Sequence, residues 1–150
     1  MADVAIVRLA VRAVSRRDRL LFHKTTARAV YEDLRRDSAA DASPPCDVLL
    51  WNEEGEVTEF TNGNVVASID GVLCTPPLDC GLLAGTMRAE LLADDRVVER
   101  VITVDDLGRA DGLWLINSVR GWVPVALAGG RQGCVATPGA AVDAAPGRAT

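Results

Sequence analysis

Residues 47–75 read DVLLWNEEGEVTEFTNGNVVASIDGVLCT, a succession of short apolar runs separated by polar turns. Short runs rich in valine, leucine and aromatic residues, bounded by Gly, Asn and Asp, are typical of β-strands. The runs lie at 47–51, 57–61, 65–69 and 72–75. Asp70-Gly71, between the last two runs, predicts a tight hairpin, because this dipeptide suits the left-handed backbone that a two-residue turn needs. The segment therefore predicts a sheet of short strands.

The sequence on either side of this segment adds further strands and two or three helices. The N-terminal side predicts a strand at 4–14, a short apolar run at 20–23 and a helix from about 26 to 37. The C-terminal side predicts a helix at 85–93, strands at 97–101, 113–116 and 122–127, and a short helix at 103–110. Thr103 and Asp106 are spaced to cap that short helix. Together these elements predict a mixed α/β domain whose sheet curls into a partial barrel.

Composition and charge limit the class of protein. The chain has 150 residues, of which 49% are hydrophobic and 25% charged, which suits one globular domain. Its net charge of −5 argues against nucleic acid or an anionic membrane as the main partner, since both attract basic surfaces. No apolar run approaches the ~18 residues that cross a bilayer, and the first residues do not read as a signal peptide. We therefore expect a cytoplasmic protein.

The cysteines give no indication of a metal site or a disulfide framework. Cys46, Cys74, Cys80 and Cys134 lack CxxC spacing, and His23 is the only histidine. In a cytoplasmic protein these thiols are expected to be reduced and mostly buried.

Lys24 is the only lysine of the chain, although lysine and arginine together number 16. It lies in LLFHKTTARAVY, at the junction of a predicted strand and a predicted helix. Apolar neighbours lower the pKa of a lysine and supply the neutral amine that attacks carbonyls. Arginine cannot take over this chemistry. A codon bias that replaces lysine by arginine elsewhere in the chain would therefore leave a chemically reactive lysine in place. On spacing alone, an exposed lysine at a helix start is the simpler interpretation.

Three further groups of residues have both a structural and a functional interpretation. Glu59 is either an exposed strand residue or a carboxylate that keeps a pyridine nitrogen protonated. The turn TNGN at 61–64 either connects two strands or brings backbone close to a ligand. Thr86 and Met87 start a predicted helix, where free N–H groups would attract an anion. Ser118 follows a strand and either meets a phosphate or forms a turn. None of these signals is specific alone.

Taken in order, four segments resemble the class IV aminotransferase superfamily, the fold-type IV pyridoxal-phosphate enzymes. They are HKTTAR, DVLLWNEEGEVTEFTNGNVV, CTPPLDCGLLAGTMR and VITVDDLGRADGLWLINSVRGWVPV. The resemblance covers about residues 20–127. The HKTT and NSVRGW stretches are most similar to those of aminodeoxychorismate lyases, especially the ones fused behind aminodeoxychorismate synthase component I. Those enzymes make 4-aminobenzoate for folate biosynthesis.

The resemblance implies pyridoxal 5'-phosphate as the cofactor and assigns residues to its ring. Lys24 would bind the cofactor covalently as a Schiff base and shuttle protons. Glu59 would pair with the pyridinium nitrogen, so that the ring acts as an electron sink. Asn64 would lie in the turn that flanks the ring.

The resemblance also assigns residues to the phosphate and the substrate. The backbone of Thr86 and Met87, together with Ser118, would hold the phosphate. Transaminases usually carry threonine at the position of Met87, whereas lyases also carry methionine there, which favours the lyase. Arg120 is a candidate for a substrate carboxylate, although an exposed, salt-bridged arginine is an equally good interpretation.

The implied reaction is β-elimination from 4-amino-4-deoxychorismate, which releases pyruvate and forms 4-aminobenzoate. A D-amino-acid or branched-chain transaminase is the alternative enzyme, and a non-catalytic half-domain is the alternative of a different class. We expect residues 1–128 to form the cofactor-binding large domain and residues 129–150 a flexible C-terminal tail.

Family members carry an N-terminal small domain of about a hundred residues, which this chain lacks in our interpretation. It would therefore be a fragment of a fusion, a half completed by a separate chain such as synthase component I, or a decayed gene product. The expected partners are otherwise a second copy of the chain in a homodimer and the small-molecule substrate.

Overall fold

One sheet of eight strands forms the framework of the part of the chain that this computed structural model describes, residues 5–17, 32–37 and 47–128. The strands are β1 (Ala5–Leu9), β2 (Val48–Trp51), β3 (Val57–Phe60), β4 (Asn64–Ile69), β5 (Val72–Thr75), β6 (Val98–Glu99), β7 (Gly112–Asn117) and β8 (Gly121–Leu127). Their order across the sheet is β3-β2-β1-β8-β7-β4-β5-β6. β1 runs parallel to both of its neighbours, β2 and β8, and β5 runs parallel to β6. The other neighbouring pairs are antiparallel.

The short turn between β3 and β4 requires the sheet to curl. The two strands are five positions apart in the sheet order, which would separate them by about 24 Å in a flat sheet. The N–H of Phe60, the last residue of β3, nevertheless donates to the Gly63 carbonyl oxygen at 2.8 Å, directly before β4 begins. The sheet therefore wraps around its own core. The predicted mixed α/β fold with a curled sheet is confirmed.

Two helices pack on the outside of the curled sheet. α1 is described over residues 32–37, the C-terminal half of the helix predicted at 26–37. Its Leu34 is buried against Val48 and Leu50 of β2. α2 (Thr86–Ala93) places Leu91 in a cluster with side chains of β4 and β7. The predicted run at 20–23 and the predicted tail at 129–150 lie outside the described residues.

Burial on both faces explains why several strands are apolar throughout. Val65 of β4 belongs to the cluster enclosed by the sheet, and its neighbour Val66 to the cluster beneath α2. In β7, Leu115 belongs to the enclosed cluster and its neighbour Trp114 to the cluster beneath α2. Because successive side chains of a strand point to opposite faces, a strand covered on both sides needs apolar residues at every position.

Two local signals in the sequence form as predicted. Asp70 and Gly71 have φ angles of 53° and 78°, so the hairpin between β4 and β5 uses the left-handed backbone expected of this dipeptide. The Asp106 N–H donates to Thr103 Oγ1 at 3.1 Å, and the Thr103 N–H donates to Asp106 Oδ2 at 3.0 Å. That backbone bond, with help from Arg109, holds the pKa of Asp106 below its usual value. The short helix that follows is a 3₁₀ helix, Asp105–Arg109.

Two strands are shorter than predicted by three residues or more. β1 ends at Leu9 rather than continuing to residue 14, because its neighbour β8 ends at Leu127, opposite Val7. Beyond that point the chain follows only β2, with a single bridge from Val14 to Asn52. β6 has two residues instead of the predicted 97–101, and it lies at the edge of the sheet.

The described cysteines are buried, free thiols. Burial raises the pKa of Cys74, and it raises the pKa of Cys80 to about 11, with a further contribution from Glu56. A thiol reacts as its thiolate, so both are unreactive near neutral pH. Cys46 and Cys134 lie outside the described residues.

No helix in the described ranges has the length and apolar character of a membrane span.

Candidate active site

A cavity of about 530 Å³ opens at one end of the curled sheet, where three connecting segments meet. These are the β3–β4 turn, the loop that leads into α2, and the β7–β8 turn. The described part of α1 adds Glu32 and Arg35 to the wall. The volume falls within the range of about 300–1,000 Å³ that is usual for small-molecule sites.

Glu59 is the buried carboxylate of the cavity wall. It lies in β3, where all four residues are buried, and is only 3% exposed. The Leu83 N–H donates to its Oε1 at 3.4 Å. Burial of a carboxylate is tolerated only where donors satisfy it, and a cationic N–H group of a ligand would be a stronger donor than a backbone amide.

The loop before α2 is held to the sheet through Leu83. While the Leu83 N–H donates to Glu59, its carbonyl oxygen accepts a hydrogen bond from Asn64 Nδ2 at 2.9 Å. Gly85 follows and lies so close to Asn64 that a Cβ atom there would collide with the amide oxygen. This packing fixes where α2 begins relative to β3 and β4.

The start of α2 offers uncapped N–H groups to the cavity. The N-cap residue Gly85 has no side chain to accept a hydrogen bond, and the first turn carries no acidic residue. Thr86 and Met87 line the cavity at this end. The first N–H groups of a helix lack partners within the helix, and the helix dipole adds partial positive charge, so an anion is favoured here.

Arg88 anchors the start of α2 from the side. It is 4% exposed, and its Nη2 donates to the Pro76 carbonyl oxygen at 3.0 Å and to Glu99 Oε2 at 2.5 Å. Removal of one partner from such a pair leaves a buried charge uncompensated. Arg88 therefore positions the N–H groups of Thr86 and Met87 without lining the cavity itself.

Asn117 organises the β7–β8 turn. Its Nδ2 donates to the Asn62 carbonyl oxygen at 2.8 Å, which joins this turn to the β3–β4 turn. Its Oδ1 accepts the N–H groups of Val119 and Arg120 at 3.1 and 2.6 Å. Ser118, in the turn so formed, is exposed and lines the cavity.

The structure brings together most of the residues that the sequence singled out. Glu59, Asn64, Thr86, Met87 and Ser118 all line the one cavity. Their assignment to a cofactor stays a prediction, as does that of Lys24, which lies outside the described residues.

Arg120 is the predicted site residue that does not line the cavity. Its Nη1 lies 3.6 Å from Asp47 Oδ2, and its side chain is about half exposed. This geometry is that of the salt-bridged surface arginine of the alternative interpretation, and a contact between Arg120 and a substrate carboxylate stays a prediction.

Sequence reasoning did not single out Glu32 and Arg35 of α1. Both line the cavity, yet in the sequence they are two charged residues among several on an amphipathic helix. Their spacing of three residues puts them on one face of a helix. Only the packing of Leu34 on β2 determines which face that is.

Replacement of Gly63 by Ala is expected to destabilise the chain by about 1–3 kcal/mol, because the new methyl group is forced into a packed region. A Cβ atom at this position would lie 2.6 Å from the Ile116 backbone oxygen and 2.8 Å from Leu115 Cδ2. A fall in the free energy of unfolding, measured with denaturant, checks this prediction.

Gly108→Ala is the control, because nothing lies within 4 Å of a Cβ atom at that position. Its free energy of unfolding should stay within about 0.5 kcal/mol of the wild type. Equal stabilities of the two variants would mean that the turn does not pack closely on β7.

Comparison with known proteins finds one family model and several relatives that the chain resembles. A family model described as amino-transferase class IV matches residues 1–128. A relative from Schizosaccharomyces pombe, provisionally named an aminodeoxychorismate lyase, is 39% identical over 101 residues, which make up 65% of this chain and 44% of the relative.

Two solved structures of similar fold come from bacteria. A provisionally named amino-acid aminotransferase from Mesorhizobium loti is 44% identical, with a TM-score of 0.74 over 84% of this chain and 60% of the other. A hypothetical aminotransferase from Mycobacterium tuberculosis, in its PLP-bound form, is 25% identical, with a TM-score of 0.68 over 86% and 49% of the two chains. The chain thus spans about half the length of these relatives.

Proposed function

This chain belongs to the class IV aminotransferase family, and we propose that it is the cofactor-binding part of a pyridoxal-phosphate-dependent 4-amino-4-deoxychorismate lyase. The observation that carries the proposal is the cavity itself. Five residues with predicted cofactor contacts, which are spread over 60 positions from residue 59 to residue 118, converge on it.

The residues of the cavity fit the chemical groups of pyridoxal phosphate. The uncapped N–H groups at the start of α2, beside Ser118, suit the phosphate. Glu59 is a buried carboxylate in the same cavity, which suits a protonated pyridine nitrogen. Asn64 also lines the cavity, and it donates to the carbonyl oxygen of Leu83, the same residue whose N–H donates to Glu59.

Each residue then has a defined task in the elimination. When bound, the cofactor withdraws the electrons released at the substrate carbon that bears the amine. Glu59 holds the proton on the ring nitrogen. Lys24 takes the proton from the amine-bearing carbon. The enolpyruvyl ether bond on the neighbouring carbon then breaks, and Lys24 would return its proton to the departing enolate, which becomes pyruvate. The six-membered ring, having lost this proton and the enolate, is the aromatic ring of 4-aminobenzoate.

The choice of a lyase over a transaminase rests on two features. Met87 occupies the position where transaminases usually carry threonine, and the S. pombe relative bears the lyase name. The 44% identity to an amino-acid aminotransferase supports the second candidate, amino transfer from a D- or branched-chain amino acid to a 2-oxo acid.

An assay of both reactions distinguishes the two candidates. The chain is incubated with pyridoxal phosphate and 4-amino-4-deoxychorismate, with and without the small domain of a family member, and pyruvate and 4-aminobenzoate are quantified. We expect both products in equal amounts. A parallel assay offers D-alanine or L-leucine with 2-oxoglutarate and measures the 2-oxo acid formed.

Amino transfer without pyruvate release from aminodeoxychorismate would replace the lyase by the transaminase. Absence of both activities, together with absence of the visible absorption of a bound cofactor, would favour the non-catalytic half-domain.

A further inference from the structure

The charge of the cavity is poorly matched to the molecules proposed to bind in it. Among the described residues that line it, Glu32 and Glu59 are acidic and Arg35 is the single base. The proposed ligands carry a phosphate and carboxylates, which are all anions. A helix N-terminus contributes only partial positive charge. One full positive charge in the wall therefore adds much to the affinity of the cavity for anions.

Arg35 is oriented by the packing of its own helix. Leu34, 2% exposed, is buried against Val48 and Leu50 and fixes the rotation of α1 on the sheet. Arg35 is half-buried and lines the cavity. Its neighbour Arg36 is exposed and turns to Asp33, with its Nη2 2.6 Å from Asp33 Oδ1.

Among the described residues, nothing acidic competes with a ligand for the guanidinium of Arg35. Within residues 5–17, 32–37 and 47–128, no carboxylate forms a salt bridge with it, whereas Arg36, Arg88, Arg109 and Arg120 each have an acidic partner. Glu32 shares its helix face but does not pair with it. The guanidinium of an arginine at a cavity wall presents a planar set of donors that matches phosphate and carboxylate oxygens.

We propose that Arg35 is the anion-binding residue of this cavity, and that its guanidinium binds either the phosphate of the cofactor or a carboxylate of the substrate. The inference rests on the proposed function for the identity of these anions. It replaces Arg120 in this role, because the Arg120 guanidinium lies 3.6 Å from Asp47 Oδ2 and Arg120 does not line the cavity.

Binding measurements on four chains test the inference and separate the two sources of the anion. They are the wild type, Arg35→Gln, Arg35→Lys and the control Arg36→Gln, and each is checked for folding by circular dichroism. Pyridoxal phosphate and pyridoxal, which lacks the phosphate, are titrated separately. 4-Aminobenzoate, an aromatic carboxylate, is titrated into the cofactor-loaded protein.

If Arg35 binds the phosphate, Arg35→Gln weakens the binding of pyridoxal phosphate by about 10- to 100-fold, as expected for one charged hydrogen bond, and leaves pyridoxal unchanged. If it binds a carboxylate, the same loss is found for 4-aminobenzoate and not for pyridoxal phosphate. In either case Arg35→Lys recovers part of the affinity, and Arg36→Gln behaves as the wild type.

If Arg35→Gln binds pyridoxal phosphate, pyridoxal and 4-aminobenzoate as tightly as Arg36→Gln does, the inference is wrong. The proposed lyase reaction could still hold in that case. If the wild type releases no pyruvate from aminodeoxychorismate, but Arg35→Gln still weakens the binding of an anion, the proposed reaction alone is wrong. A wild-type chain that binds neither anion would overturn both.

Discussion

Glu59→Gln is expected to slow turnover by about 10- to 100-fold while the chain folds normally. A hydrogen bond between charged groups is worth about 1.5–3 kcal/mol, and the amide cannot hold the pyridine nitrogen in its protonated state. The fold should persist, because the Gln oxygen can still accept the Leu83 N–H that now bonds to Glu59. The rate of pyruvate release at saturating substrate, with the melting temperature as a check on folding, gives the measurement.

Glu90→Gln is the control for this experiment. Glu90 is an exposed residue of α2 that does not line the cavity, so its replacement removes the same charge without touching the site. Near-normal turnover in Glu59→Gln, equal to that of Glu90→Gln, would mean that Glu59 does not contact the cofactor.

Borohydride reduction of the chain in the presence of pyridoxal phosphate is expected to add the pyridoxyl mass to the peptide that contains Lys24. The chain is well suited to this test, because Lys24 is its only lysine and the N-terminal amine is the only other primary amine. Peptide mass spectrometry locates the added mass. Turnover should disappear in Lys24→Arg, since a guanidinium keeps the charge but neither forms the covalent link nor gives up a proton near neutral pH.

Lys24→Arg should also lose the label, which makes it the control for non-specific modification. Label confined to the N-terminal amine of the wild type would show that Lys24 is not the cofactor-binding lysine.

Most secondary structure could be predicted because its signals are local. The Asp70-Gly71 hairpin and the Thr103–Asp106 cap depend on residues within three positions of one another, and both form as predicted. The strand at residues 72–75 has the predicted bounds. The strand predicted at 4–14 ends at Leu9 because its length depends on where β8 stops, and β8 lies more than a hundred residues away in the chain.

The candidate site followed from a resemblance of motifs rather than from periodicity. Spacing alone left Glu59 as an exposed strand residue, whereas the structure buries it at 3% exposure. The reason is that β3 closes onto the loop of Leu83, a contact between residues 24 positions apart. No local pattern reports that contact.

The sequence by itself therefore determined the elements, their approximate bounds, the family to which the chain belongs and the order of its motifs. Only the tertiary structure decided the order of the strands in the sheet, that three distant turns enclose one cavity, and that Arg35 rather than Arg120 lines it. Helix and turn signals act between neighbours along the chain. Strand order, and the face that a helix presents to a cavity, depend on packing between residues far apart in sequence, as between Leu34 and Leu50.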